Sequence, residues 1–251
     1  MTLISTVGAQ EKSNVDISGI APVMKAKHVE NLKMDGKLSD PAWKNASEYQ
    51  LELAKNVYAK SPDNIRKTLG DTLREKGSVK LLWNEKYLYV GVKMEDSDVV
   101  AEGKGDQTHL YLAGDLVEVF LKPASDTYYW EIYSAPNNMK SIFFFPSRGR
   151  IMFPFCEKYQ MPVDFKVVAA VDGTLNNWHD KDKGWSVEIA IPISMLQEQG
   201  AKFDSSTEWT ILVARYNYSK YLPMKETSSA PRLSVPDNHM YEDYAKLVLE
   251  K

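Results

Sequence analysis

Val79-Lys-Leu-Leu-Trp-Asn-Glu-Lys-Tyr-Leu-Tyr-Val-Gly-Val-Lys-Met-Glu-Asp96 is the stretch whose reading decides the fold. It holds two apolar runs separated by Asn84, Glu85 and Lys86. Runs rich in β-branched, aromatic and leucine residues, joined by polar turn residues, predict a β-hairpin. A second stretch, Gly114-Asp-Leu-Val-Glu-Val-Phe-Leu121, predicts a strand. Its alternation puts Val117, Val119 and Leu121 on one face and Leu116, Glu118 and Phe120 on the other. Glu118 is then a lone carboxylate on an otherwise apolar face. It must reach an open surface or find a partner, because an unpaired buried carboxylate is very costly.

Working outward, the same pattern recurs. Tyr128 to Ala135 predicts a strand with Tyr129, Glu131 and Tyr133 on one face. Pro136-Asn137-Asn138 predicts a turn, and Met139 to Phe145 the next strand. Further strands are expected over 165–171, 185–191, 209–218 and 244–249, with a helical turn after Pro192 and a long loop over 219–243. Asp40 before Pro41 is an N-cap followed by a first-turn proline, so a short helical turn should carry Ala42, Trp43 and Ala46, with Trp43 plugging a core. Residues 63–76 are highly charged and read as a surface helix or loop. Many short strands with only short helical turns predict an all-β domain, an antiparallel β-sandwich of jelly-roll type. Residues 30–251 form that domain and 1–29 an N-terminal arm or residual signal segment, with a lead-in strand or arm over 11–30.

Composition narrows the function. The chain of 251 residues is 43% hydrophobic and carries a net charge of −3, so it has core enough and no basic field for nucleic acid. No apolar run is long enough for a membrane span. Cys156 is the single cysteine, which excludes an intrachain disulfide and a cysteine metal cluster. Met1 to Gln10 resembles the end of a secretory signal, with Gly8 and Ala9 after a short apolar patch; a plain N-terminal tail is the other reading. The first reading places the protein in the periplasm, at the cell surface or outside the cell. No Gly-x-Ser-x-Gly elbow and no glycine-rich phosphate loop is present.

Four motifs in order carry a resemblance: Asp35-Gly-Lys-Leu-Ser-Asp-Pro-Ala-Trp43, Leu82-Trp-Asn-Glu-Lys-Tyr-Leu-Tyr-Val90, Gly114-Asp-Leu-Val-Glu-Val-Phe120 and Gly184-Trp-Ser-Val-Glu-Ile-Ala-Ile-Pro192. Together they resemble the family 9 carbohydrate-binding modules and the wider DOMON-like sandwiches. The resemblance implies non-catalytic binding of a poly- or oligosaccharide, often with structural calcium, in support of glycan-degrading enzymes. It also implies a tryptophan before the Glu118 strand and another before the last strand. Here Tyr111 stands near the first place, and Pro236-Asp-Asn-His-Met-Tyr241 fills the second loop, so either Tyr111 with His239 or Tyr241 replaces the clamp or the sugar specificity is changed or lost.

Candidate ligand-binding residues are therefore Tyr111, Glu118, Glu131, Arg148, Arg150, Trp178, Arg215, His239 and Tyr241. Glu118 and Glu131 could accept bonds from sugar hydroxyls, or be structural acids paired with Arg215, Arg148 or Arg150. Arg148 and Arg150 suit an acidic or sulfated sugar, and Trp178 could be a stacking platform or a rim plug. Asp96, Asp98, Asp106 and Asp115 could supply oxygen ligands to calcium. Two rival readings stand beside this one. Met94, His109, His239 and Met240 are the ligand types of a haem-binding redox domain, and paired carboxylates are what a glycoside hydrolase needs.

Overall fold

The computed structural model describes residues 21–57, 72–148 and 164–251. The signal-like segment, Arg150, Cys156 and most of the charged stretch 63–76 lie outside them. Among the described residues twelve strands form one sheet. They begin with β1 (Val23–His28), β2 (Glu48–Gln50), β3 (Gly77–Trp83) and β4 (Tyr87–Glu95). β5 (Leu116–Pro123), β6 (Tyr129–Ser134), β7 (Lys140–Phe145) and β8 (Lys166–Asp172) follow. β9 (Gly184–Pro192), β10 (Trp209–Asn217), β11 (Glu226–Ala230) and β12 (Ala245–Glu250) complete it. The expected hairpin is β3–β4, paired from Gly77↔Met94 to Trp83↔Leu88. The helical turn after Pro192 is α1 (Ile193–Leu196).

The all-β class holds. The jelly-roll sandwich of two sheets does not describe the pairing. The strand order is one path, β7-β6-β5-β10-β12-β1-β3-β4-β9-β8. The sheet curls until its two edges nearly meet, where Lys140 Nζ reaches Phe165 O at 2.6 Å and Ala169 N donates to Asn138 Oδ1 at 2.8 Å. β1 makes the difference. It lies between β12 and β3 and pairs parallel with both, joining what would otherwise be two sheets. Its six residues, Val-Met-Lys-Ala-Lys-His, bury only Met24 and Ala26, so the stretch carries little apolar signal. β11 was also illegible, because Glu-Thr-Ser-Ser-Ala has no apolar alternation; it adds to β10 from Val213↔Ala230 to Asn217↔Glu226.

The main core fills the inside of the curled sheet. Val117, Val119 and Leu121 of β5 meet Trp130, Ile132, Ile211, Val213, Val90, Val187 and Ile189 there. A second apolar cluster covers the outer face of β5, β6, β7 and β10. A third lies outside β3, β4 and β9, under the turn Pro41–Asn45. There Trp43 is the expected plug, buried against Gly91, where a Cβ would come within 2.9 Å of the indole. Asp40 caps the turn by accepting from Ala42 N at 2.9 Å. Glu188, in the fourth sequence motif, holds the whole corner. Its carboxylate accepts from Asp35 N (2.8 Å), Gly36 N (2.6 Å) and Trp43 Nε1 (2.7 Å). The first and fourth motifs are thus two halves of one contact.

Candidate functional site

The outer face of β5 and β6 carries the site. Antiparallel register sets Glu118 opposite Tyr133 and Phe120 opposite Glu131. The two acids are therefore diagonal neighbours on one face, within reach of each other through long side chains. On the flanks, β10 places Ala214 beside Glu118, and β7 places Phe143 beside Glu131. Tyr129, Phe145 and Tyr216 extend the same face into a floor of aromatic rings around a pair of carboxyls.

Two loops close over this floor. The short turn Leu110–Leu112, just before β5, brings Tyr111 edge-on to Tyr133 at 6.3 Å and beside Tyr216 at 6.0 Å. His109 stacks on Phe143 with centroids 5.0 Å apart. From the other side, the loop before β12 sets His239 among Phe120, Tyr129 and Phe145 at 5.5–5.9 Å. The Tyr129 hydroxyl lies 2.8 Å from His239 Nδ1. Asn238 Nδ2 donates to Glu118 Oε2 at 2.8 Å, and Tyr244 donates to Asn238 O at 2.5 Å. The loop is thereby pinned both to an acid of the floor and to the residue just before β12.

Glu118 is 1% exposed and Glu131 5%. Neither has a cation in an ion pair among the described residues. Burial resolves the difficulty by neutralising them. It pushes Glu131 up to about 8, against the opposing hydrogen bond from Tyr133 (2.8 Å). Glu118 is raised well above the carboxylate range, first by burial and then by the charge of Glu131. The opposing effects are the hydrogen bond from Asn238 and then the charge of Lys225, whose ammonium sits over the rings of Tyr216 (4.6 Å) and Tyr218 (5.2 Å). Protonated carboxyls both donate and accept, which suits hydroxyl-rich ligands, and aromatic rings cover the C–H faces of such molecules.

The structure thus brings together Tyr111, Glu118, Glu131 and His239. Tyr241 lies at the margin, beside Tyr129 at 6.1 Å and under the Arg148 guanidinium at 4.4 Å. Arg148 forms a two-pronged pair with Glu242 at 2.6 and 2.9 Å, so its expected anion is part of this chain. Trp178 makes its ring contacts with His179 and Lys220, away from the acids.

Arg215 is neither a ligand-facing group nor a partner of these acids. On β10, Leu212, Ala214 and Tyr216 face outward with Glu118, so Arg215 takes the inward side with Val213. It is buried at the end of the core, bonded to Asp96 Oδ2 (3.0 Å), Glu95 O (2.7 Å) and Glu75 O (3.1 Å). Residues missed from sequence are Asn238, Tyr216 and Tyr244. The parity of β10 would have found Tyr216; nothing local distinguishes Asn238.

The expected metal ligands are bonded elsewhere. Asp98 accepts from Lys220 N at 2.9 Å, and Asp115 from Tyr218 N and Val100 N, both at 2.7 Å. Asp96 accepts from Asp98 N and Arg215, and Asp106 from Lys140 N. Among the described residues no three His, Cys, Asp or Glu side chains converge to hold a metal ion. As arranged, these aspartates fasten loops. The haem ligand set is also divided. Met94 packs in the inner core, while His109 and His239 lie on the outer face of the sheet.

The model of the family described as carbohydrate family 9 binding domain-like matches residues 34–208. No curated protein sequence matches the chain. A solved structure described as a proposed carbohydrate-binding protein from Bacteroides uniformis ATCC 8492 is similar, with a TM-score of 0.65 and 13% identity, covering 92% of this chain and 100% of that one. A family 9 module from Caldicellulosiruptor kristjanssonii, solved with cellotriose, gives 0.57 at 14% identity, covering 90% and 93%. The same description with glucose gives 0.56 at 14% identity, covering 90% and 95%. At such identities the likeness is one of fold.

Proposed function

Because the chain belongs to the carbohydrate family 9 binding domain-like family, we propose that it binds a carbohydrate without catalysis, on the outer face of β5 and β6. The observation that carries this reading is the Glu118–Tyr133–Glu131 group. It consists of two carboxyls kept neutral on an aromatic floor, between the two loops where the family resemblance puts its clamp. Tyr111 and His239 stand in for the tryptophans, one from each loop. The relatives solved with glucose and cellotriose make β-linked glucose oligomers the first ligands to try.

The role that follows is retention of a glycan near the enzymes that degrade it, outside the cytoplasm. No observation favours a hydrolase or a haem-binding domain. Calorimetric titration with glucose and cellotriose tests the proposal. Glu118→Ala should weaken binding about tenfold, the magnitude of one buried hydrogen bond, while leaving the circular dichroism of the fold unchanged. Equal affinity in wild type and variant would remove this face from the binding site.

A further inference from the structure

We propose a second binding platform, built from Trp178, Lys220 and Tyr221, for a sugar residue bearing an anionic group. Of the six tryptophans only Trp178 is exposed, at 66%, and Tyr221 is 46% exposed. Large exposed rings standing together mark interaction surfaces. Here a single ammonium joins them: Lys220 Nζ lies 5.4 Å from the Trp178 ring and 4.7 Å from that of Tyr221. Lys181 Nζ lies 5.4 Å from the Tyr221 ring. Neither lysine is in an ion pair among the described residues.

The corner is built, not loose. The loop carrying Trp178 is fastened at Asn176, which donates to Val99 O (2.9 Å) and accepts from Ala101 N (2.7 Å). Buried Asp182 accepts from Thr174 N and Val99 N, both at 2.7 Å. The Tyr221 hydroxyl donates to Asp180 O at 2.9 Å, tying the second ring to the same loop. Asp180 itself keeps a buried carboxylate oxygen, Oδ1, with no hydrogen-bond donor. Such an acceptor is costly unpaired, and a ligand hydroxyl would satisfy it. Rings for C–H faces, two uncommitted ammonium groups for a carboxylate or sulfate, and one orphan acceptor for a hydroxyl together describe an acidic sugar.

The platform shares no residue with the acid pair, so variants can test the two independently. The test is calorimetry of the full chain with trigalacturonate, with a sulfated oligosaccharide of similar length and with cellotriose. Measurements compare wild type, Trp178→Ala/Lys220→Ala and Glu118→Ala. The altered residues of the double variant are exposed, so it should fold. Expected is binding of an anionic oligosaccharide that weakens with salt, falls at least tenfold in the double variant and persists in Glu118→Ala. Preference between the carboxylate and sulfate ligands then identifies which anion is taken. No binding of either anionic ligand overturns the proposal. So does unchanged affinity in the double variant, or loss of anionic binding in Glu118→Ala alone. A silent cellotriose titration would count only against the site on β5 and β6.

Discussion

Replacing Glu131 by glutamine removes a proton-binding group that the fold holds far from its ordinary state. In the unfolded chain this carboxyl titrates near 4.5; in the folded protein burial raises it to about 8. Between those values the folded protein holds a proton that the unfolded chain has released. Stability must therefore fall as pH rises through this window, at up to roughly 1.4 kcal/mol per pH unit. Below 4.5 both states are protonated and the group costs nothing, and above 8 the loss is complete. From pH 5 to pH 8 the single group is worth roughly 3–4 kcal/mol by this reckoning. Glu118 is raised by the same burial and adds a loss of the same sign. Glutamine is a neutral isostere that can still accept from the Tyr133 hydroxyl. Urea unfolding at pH 5 and pH 8 should thus show the wild type losing several kcal/mol more than Glu131→Gln over that interval. Parallel pH dependences for the two proteins would refute the assignment of a neutral acid to this face.

Other outcomes follow from the geometry. Arg215→Ala should cost on the order of 3–5 kcal/mol in urea unfolding, since it strands Asp96, which burial already holds at about 6 despite that guanidinium. Sugar affinity of the folded protein should stay within about twofold; a selective loss of affinity would contradict the inward placement of Arg215. Trp43→Ala should destabilise by about 3–5 kcal/mol, because it opens a void against Gly91 and takes a donor from Glu188. A stability within 1 kcal/mol of wild type by the same assay would show that the corner does not depend on the indole.

The strands that face the core were legible because their pattern has period two. β5, β6 and β9 could be placed nearly to the residue. Glu118 and Glu131 were legible for the same reason, as carboxylates breaking an apolar face. What escaped was pairing between distant strands. Nothing in Val23–His28 says that it inserts between β12 and β3, and that insertion turns two expected sheets into one. Parity could have removed Arg215 from the ligand site, since it follows Ala214 and precedes Tyr216 on a strand already recognised. The acidic loop looked like a metal site because aspartates that cap backbone N–H groups and aspartates that bind cations are the same residues. In the fold all four accept from backbone N–H groups, Asp115 from Tyr218 N and Val100 N on its two oxygens.

The parallel ladder between β1 and β12 also fixes how the protein bears a load. Val23 sits beside Lys246 and Lys27 beside Glu250. The N-terminal end of one strand and the C-terminal end of the other therefore lie at opposite ends of the ladder. Tension applied through Pro22 and Lys251 pulls these strands lengthwise past each other. The bonds joining them then resist together in shear, whereas an antiparallel pair pulled from one end would unzip bond by bond. Tension through these two ends is thus met by the whole ladder at once.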